Sequence, residues 1–335
     1  MSEKKSRKGR VALCVVGAFV LALGIFLIVW YCGASYPQFD SLARQEFAIP
    51  GLSDGVCPQG LTALPENPEG YDFAMSGYLS SGPSRIYLID EEDEQRGKFI
   101  TLTDGGKADE SHFGGVSCSD DYMYVASGTR IARVPLGAAL SAEAGGAVAA
   151  EYSGAGLRAA FCQFADGLLY VGEFYRPGNY ETPESHHLEG ADGSENYAVV
   201  FAYELEETGA LAAEPLFALS VREQVQGIAV FEGGIALSCS YGLPDSSIWV
   251  YENPIGGETD KSIATDTGAN VPLYMLDSSN WIKTIVAPCM SEELAIEGGR
   301  LYILFESLSN KYKLFTRTRM SHVHSIALSD LAAAE

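Results

Sequence analysis

The feature that most constrains this chain is a repeat. The stretch VQGIAVFEGGIALSCSYG, residues 225–242, is an apolar run, a Phe-Glu-Gly-Gly turn, a second apolar run and a polar end. Four other stretches follow the same plan: CPQGLTALPENPEGYDFAMSGYL from Cys57, HFGGVSCSDDYMYVASGTRIARV from His112, AAFCQFADGLLYVGEFY from Ala159 and MSEELAIEGGRLYILFES from Met290. Short apolar runs joined by Gly and Asp turns read as antiparallel hairpins. With Gly60, Gly115, Phe161, Gly227 and Glu293 as equivalent positions, the units recur every 46 to 66 residues, the long ones carrying polar insertions at 176–196 and 256–270. Without the insertions a unit has roughly 45–50 residues, the size of a propeller blade.

Third strands are expected at 84–90, 129–135, 197–205, 247–253 and 322–330, and fourth strands at 97–103, 147–153, 214–220 and 280–286. The last unit has no fourth strand of its own, but RQEFAIP, 44–50, stands before the first unit where one is needed. The reading is an all-β, five-bladed β-propeller over 44–330, closed by its N-terminal strand. Ring closure leaves only short, protected sheet edges, and each blade needs its neighbours to bury both faces. A single large β-sandwich is the alternative, and it would lack this four-strand grouping.

The N-terminus has a different composition. Lys4, Lys5, Arg7, Lys8 and Arg10 precede Val11–Cys32, 22 residues without a charge, closed by Trp30 and Tyr31. As a helix this run would span roughly 33 Å, enough for a bilayer core, with the basic cluster on the cytoplasmic side. The expected organisation is a cytoplasmic tail over 1–10, a transmembrane anchor over 11–32, a linker over 33–43, an extracytoplasmic propeller over 44–330 and a tail over 331–335. That is a single-pass cell-membrane protein. A cleaved signal peptide ending near Cys32-Gly33-Ala34 competes, although secretory apolar regions run only about 7–15 residues.

The formal net charge is −22, with 44 acidic residues. Such a surface repels nucleic-acid phosphates and anionic headgroups, so the partners expected are a small molecule or a protein outside the cell, not nucleic acid. Apart from Cys14 and Cys32 in the apolar run, the cysteines are Cys57, Cys118, Cys162, Cys239 and Cys289, with no Cys-x-x-Cys. Disulfides and buried free thiols both remain open.

In a propeller the first strand of each blade lines the axis, and its start opens on one mouth. Those starts hold Gln59-Gly60, His112 with Gly114-Gly115, Ala160-Phe161-Cys162, Gln226-Gly227 and Glu292-Glu293. The second strands end in Ser76, Ser127, Glu173, Ser238-Cys239-Ser240 before Tyr241, and Glu306-Ser307. A polar side chain buried there without a partner costs about 1–3 kcal/mol, so these groups must bond to each other, to water or to a ligand. Gln59, His112, Gln226, Glu292, Ser240 and Tyr241 are the ligand-binding candidates. Glu173, Glu292, Glu306 and His112 are the metal candidates, an oxygen-rich set that suits one divalent cation, Ca²⁺ or Mg²⁺. The competing reading is a water-filled polar channel, its glycines serving close backbone approach. His186-His187 lies in a polar insertion and reads as a solvated loop, while His322 and His324 share a strand face away from the axis. Gly-x-Ser-x-Gly, His-Glu-x-x-His and P-loop spacings are absent, which disfavours the common hydrolase and nucleotidase motifs.

QGIA with LSCSYG, the HFGGV start, FCQF with VGEFY, and APCMSEE with LYILFES together resemble a group of functionally uncharacterised exported bacterial β-propeller proteins. The resemblance covers roughly 44–330 and implies the fold but no activity. More loosely, the fold is similar to the gluconolactonase and strictosidine-synthase propellers, a resemblance that implies an axial divalent cation held by Glu, Asn and Asp. This chain offers Gln and His at comparable strand starts and no Asn, a departure from that pattern. Two functions therefore compete. One is a membrane-tethered propeller that binds a ligand or protein at its polar mouth. The other is a metal-dependent hydrolase, lactonase or glycan-acting enzyme using the same axial site.

Overall fold

The computed structural model describes residues 12–25 and 34–332. Strands dominate and group into five antiparallel blades around one axis, so the sandwich alternative is excluded. The first blade runs Cys57–Ala63, Phe73–Tyr78, Arg85–Ile89 and Lys98–Asp104. The second begins with Phe113–Cys118 and continues into Tyr122–Pro135 and Glu151–Ala159. Tyr122–Pro135 is itself a hairpin: Gly128 takes a φ of 66° and the Leu136 N–H donates to the Asp121 carbonyl at 2.8 Å, so the run doubles back and supplies two strands. The third blade is Phe161–Ala165, Leu168–Gly172, Ala198–Glu204 and Phe217–Val221, and the fourth is Val225–Phe231, Gly234–Cys239, Ser246–Tyr251 and Trp281–Ala287. The fifth blade is Ser291–Glu297, Arg300–Phe305 and His322–Ala327, completed by Arg44–Ala48 from the other end of the chain.

Closure is antiparallel, pairing Arg44 with Ser325, Gln45 with His324 and Ala48 with His322. The closing strand also plugs the seam between the last and first blades. Its Phe47 ring lies 4.8 Å from Phe73 of the first blade, which lies 4.8 Å from Tyr302 of the fifth. Burying one such ring contributes about 1.5–3 kcal/mol, so the strand adds hydrophobic as well as hydrogen-bonding energy. The helix Pro37–Leu42, within the expected linker, buries Phe39 against Phe305 and His324.

Turn chemistry accounts for the tight hairpins. Ala165 pairs with Leu168 across Asp166 and Gly167, both at positive φ, as a type I′ turn requires. Glu297 pairs with Arg300 across Gly298 and Gly299 in the same way.

Two expectations need correction here. Residues 147–153 do not form one outer strand of the second blade. Ala147–Ala149 runs parallel to Lys98–Asp104 and covers the first blade's edge, and the true outer strand begins at Glu151. From the end of the polar insertion at 256–270 onward, Asn270–Met275 does the same for the third blade, running parallel to Phe217–Val221. An outer strand leaves a row of unpaired backbone groups, and a segment borrowed from the next blade satisfies them.

The transmembrane anchor is the second correction. Among the described residues no helix is long and apolar enough to cross a membrane. The N-terminal helix is described over 12–25, about 21 Å at 1.5 Å per residue against a hydrocarbon core of about 30 Å. Val11, residues 26–32 of the expected span and the basic tail 1–10 lie outside the described residues. The single-pass localisation and the inside–outside topology built on that span are therefore not supported.

Candidate functional site

The five inner strands meet around the axis in the order of the chain, and Cys57–Ala63 contacts Ser291–Glu297 to close the ring. In four of them the pairing register shifts by one residue near the start: between Pro58 and Gly60, Phe113 and Val116, Val225 and Gly227, and Ser291 and Leu294. Phe161–Ala165 of the third blade pairs without a shift. Such a bulge adds one residue and re-aims side chains. Neighbouring residues can then both turn toward the axis, one into a cavity at the mouth and one into the hub beneath it.

The hub is the tighter of the two. A Cβ on Gly60 would collide with the Val116 nitrogen, and one on Gly115 would collide with Glu293 Oε2 and lie 2.5 Å from the Cys162 nitrogen. A Cβ on Gly227 would lie 2.6 Å from the Glu293 Cα. Gly115 thus clears the space that the Glu293 side chain fills, while Gly60 and Gly227 let neighbouring inner strands approach closely. Glu293 Oε2 accepts the Val116 N–H at 2.9 Å, with Cys162 and Leu61 N–H groups also turned on this carboxyl. Burial raises its pKa well above the usual carboxylate range, opposed by those three donors. Glu293 Oε1 is buried without a hydrogen-bond partner.

Above the hub lies a cavity of about 440 Å³ to which all five blades contribute. Gln59, His112, Gln226, Tyr241 and Glu306 line it as the strand starts and ends predicted. Glu292, 2% exposed, sits beneath its floor, where its Oε1 accepts from Gln226 Nε2 at 3.3 Å. Glu292 and Glu306 hydrogen-bond to each other. Glu306 Oε2 accepts the Cys57 thiol at 2.8 Å and Gln59 Nε2 at 3.1 Å. Gln59 Oε1 in turn accepts from His112 Nε2 at 2.8 Å. One hydrogen-bonded chain therefore runs from His112 through Gln59, Glu306 and Glu292 to Gln226, across the first, second, fourth and fifth blades.

Two buried carboxyls in contact cannot both ionise cheaply. Burial, then the neighbouring Glu306, push Glu292 well above the usual carboxylate range. Burial raises Glu306 to about 7, moderated by Cys57, Lys311, the Glu292 hydrogen bond and Gln59. Glu292 is the protonated partner that donates to Glu306. His112 is lowered to about 4, by desolvation first and then by Lys311 and Arg158. Its ring is exposed on the cavity side, and it stays neutral at neutral pH, with Nε2 as donor and Nδ1 as acceptor. The Cys57 thiol is raised by burial and by Glu306 and stays protonated.

Two ligand or metal candidates lie elsewhere. Ser240 is buried at 3% exposure with its Oγ unpartnered, and it is not part of the cavity wall. Glu173 does not join the Glu292–Glu306 pair. It is 2% exposed and accepts from the Val199 N–H at 3.2 Å, while His186 Nδ1 lies 2.8 Å from its Oε2. That contact corrects the reading of His186 as solvated: the insertion folds back and the ring is buried against its own blade.

A divalent cation does not fit these donors. Among the described residues no three His, Cys, Asp or Glu side chains form a metal-ligating group. One Glu306 oxygen is already taken by two donors, the pair keeps a proton, and Lys311 and Arg158 stand in the same wall. Among the described cysteines, Cys57, Cys118, Cys162, Cys239 and Cys289 are all free, which decides the open alternative in favour of thiols.

The sequence reading missed Tyr78, Arg158, Phe174, Tyr180, Lys311 and Tyr312, which also line the cavity. Tyr78 lies two residues past Ser76 at the end of a second strand, where a signal existed: Tyr241 follows its own second strand in the same way. Lys311 and Tyr312 come from the loop between second and third strands of the fifth blade, and Tyr180 from an insertion, where strand periodicity gives no guidance. Lys311 donates to the Tyr78 hydroxyl at 2.6 Å and lies over the Tyr78 and Tyr312 rings. The His112 and Tyr78 ring centroids lie 3.8 Å apart with their planes tilted by 39°.

No protein-family model and no curated protein matches the chain. The resemblance to exported bacterial propellers thus gains no support at the level of sequence. Among solved structures, the chain is similar to Myxococcus xanthus glutaminyl cyclase with a TM-score of 0.43 and 11% identity, over 85% of this chain and 97% of that one. It is also similar to a Thermus thermophilus oxidoreductase (glucose dehydrogenase), with a TM-score of 0.38 and 12% identity over 85% and 98% of the two chains. For Kluyveromyces lactis Hsv2 the TM-score is 0.32 at 11% identity, over 75% and 60%. Likenesses of this degree carry no argument about activity.

Proposed function

We propose that this propeller is a binding module whose axial cavity holds a small polar organic molecule. The observation that carries the reading is the cavity itself: about 440 Å³, with polar side chains delivered by bulged strand starts. That volume is in the usual range for small-molecule sites, and a few oriented polar groups among aromatic walls are their usual lining. Gln59, His112 and Gln226 are already held by one another and by the acid pair, so they present fixed hydrogen-bonding groups at little entropic cost. The test is a thermal-shift screen of neutral, anionic and cationic metabolite-sized compounds against the full chain and against Gln226→Ala. A compound that stabilises the full chain and loses at least about tenfold in affinity with Gln226→Ala supports the reading. Stabilisation that ignores Gln226 places binding elsewhere and refutes it.

One observation favours a second reading, acid–base chemistry on the bound molecule. Glu306 lines the cavity with a pKa of about 7, suited to taking or giving a proton at neutral pH. The metal-dependent version lacks a donor set and is set aside. Turnover of a bound compound that vanishes in Glu306→Gln while binding persists would establish the catalytic version.

A further inference from the structure

Two cations stand in the wall of the axial cavity. With 44 acidic residues, carboxylates are easy for an arginine to find, and Arg85, Arg96, Arg130 and Arg133 each pair with one. Arg158 and Lys311 make no ion pair among the described residues, yet both line the axial cavity. Arg158 lies near the end of the second blade's outer strand, Glu151–Ala159, and packs 5.2 Å over the Tyr180 ring. Lys311 reaches over from the fifth blade to Tyr78. Both lie close enough to His112 to depress its protonation.

The charge balance of the wall follows from its contacts. Arg158 and Lys311 are cationic and His112 is neutral. Glu292 and Glu306 share a proton and together carry at most about one negative charge at neutral pH. The cavity is therefore a net-positive spot in a chain of net charge −22.

We infer that the molecule held in the axial cavity is a small organic carboxylate, its charged end met by Arg158 and Lys311 and its body by the tyrosine wall. This rests on the proposed function and names the ligand class of that same site. The planar guanidinium fork matches a carboxylate with two parallel hydrogen bonds, and the ammonium adds a point charge. Tyr78, Phe174, Tyr180, Tyr241 and Tyr312 supply faces for an organic body, which a bare inorganic anion would leave unused. A cationic ligand would suit the aromatic rings alone, but would have to enter between two like charges.

The experiment is calorimetric titration of the full chain with probes that share a phenyl ring and carry an anionic, neutral or cationic head group, benzoate, benzyl alcohol and benzylamine, with succinate, lactate and inorganic phosphate beside them. The expected result is binding of at least one of the three carboxylates, weakened tenfold or more in Arg158→Gln and in Lys311→Met, with Arg158→Lys in between. Arg158 is exposed, so its variants should melt within a few degrees of the parent, which the same samples check. Equal or tighter binding of benzyl alcohol or benzylamine, or unchanged carboxylate affinity in Arg158→Gln, overturns the inference. So does phosphate binding as tightly as the carboxylates, or no carboxylate binding at millimolar concentration. If the inference fails but benzyl alcohol binds and Gln226→Ala weakens it, the proposed function still stands.

Discussion

The two mouths of the channel are built from the same five strands and differ in the side chains those strands present there. At the strand starts the cavity gathers amides, carboxyls, cations and tyrosines. At the strand ends a recess of about 340 Å³ sets apolar side chains such as Leu61, Phe164, Phe231, Leu294 and Ile296 beside Thr62, Ser117, Gln163, Asp166 and Glu232, with no Lys, Arg, His or Tyr in its lining among the described residues. Two of its polar groups are spent between blades: Gln163 Oε1 accepts the Val230 N–H at 2.8 Å, and Ser117 Oγ accepts the Phe164 N–H at 2.7 Å. What separates the mouths is register. Past the bulge each inner strand pairs regularly, as from Leu294–Ile303 to Glu297–Arg300, and the recess is left mostly to residues that pack. At the bulged end consecutive residues divide between hub and cavity, as Glu293 and Glu292 do. Interrupted pairing marks the site, and regular pairing marks the scaffold.

The comparison can be broken most severely through the ring that holds both mouths. Deleting residues 44–48 removes the fifth blade's outer strand and Phe47 from the seam. The expected outcome is loss of the cooperative unfolding transition, or a fall in its midpoint by tens of degrees. A truncated chain that melts with the parent would show that the ring does not depend on this strand.

At the packing mouth, Leu294→Ala should cost about 2–5 kcal/mol, since Leu294 is 1% exposed in the core. Urea denaturation reads this directly, and affinity at the other mouth should be unchanged. A loss of affinity without loss of stability would mean that the mouths are not separate in function.

The acid pair should make stability depend on pH at the polar mouth. The folded pKa of Glu306 is raised from 4.5 to about 7, so the unfolded chain releases this proton more readily. The stability from the shared proton is complete below about pH 4.5 and is lost as pH rises through about 7. The loss is on the order of 3 kcal/mol by pH 8. Glu306→Gln keeps an acceptor for Cys57 and Gln59 and cannot ionise, so its denaturation midpoints should be flatter between pH 5 and 8. A parent whose stability rises with pH across that window, by an amount the variant abolishes, would reverse the assignment.

The smallest expected effect on stability is that of Gln226→Ala. Gln226 is partly exposed to the cavity and bonds Glu292 at a long 3.3 Å. The change should cost about 1 kcal/mol or less in the same urea assay while weakening ligand binding, the opposite profile to Leu294→Ala.

Gln59, Gln226, His112 and Glu306 could be read from the sequence because equivalent positions in successive units must sit equivalently around an axis. Arg158, Tyr180 and Lys311 could not. Tyr180 and Lys311 come from loops and insertions, and Arg158 from the end of an outer strand that runs past the expected 147–153, places set by packing against other blades rather than by a repeat period. The pairing of Glu173 with His186 was hidden for the same reason: a polar insertion looks solvated until the chain folds it back. The 22-residue charge-free run shows a further limit, since composition permits a spanning helix but the helix described over 12–25 is too short to be one.

By itself the sequence determined the number of blades, the turns between their strands and the need for residues 44–50 to close the ring. Those follow from local alternation and turn chemistry, which act between near neighbours in the chain. Only the tertiary structure decided which blade edge a borrowed strand covers, that Gly115 makes room for the Glu293 side chain, and that two glutamates share a proton beside two cations. Those depend on distances between residues tens to hundreds of positions apart. Burial and charge act through space, so their outcome exists only once the ring has closed.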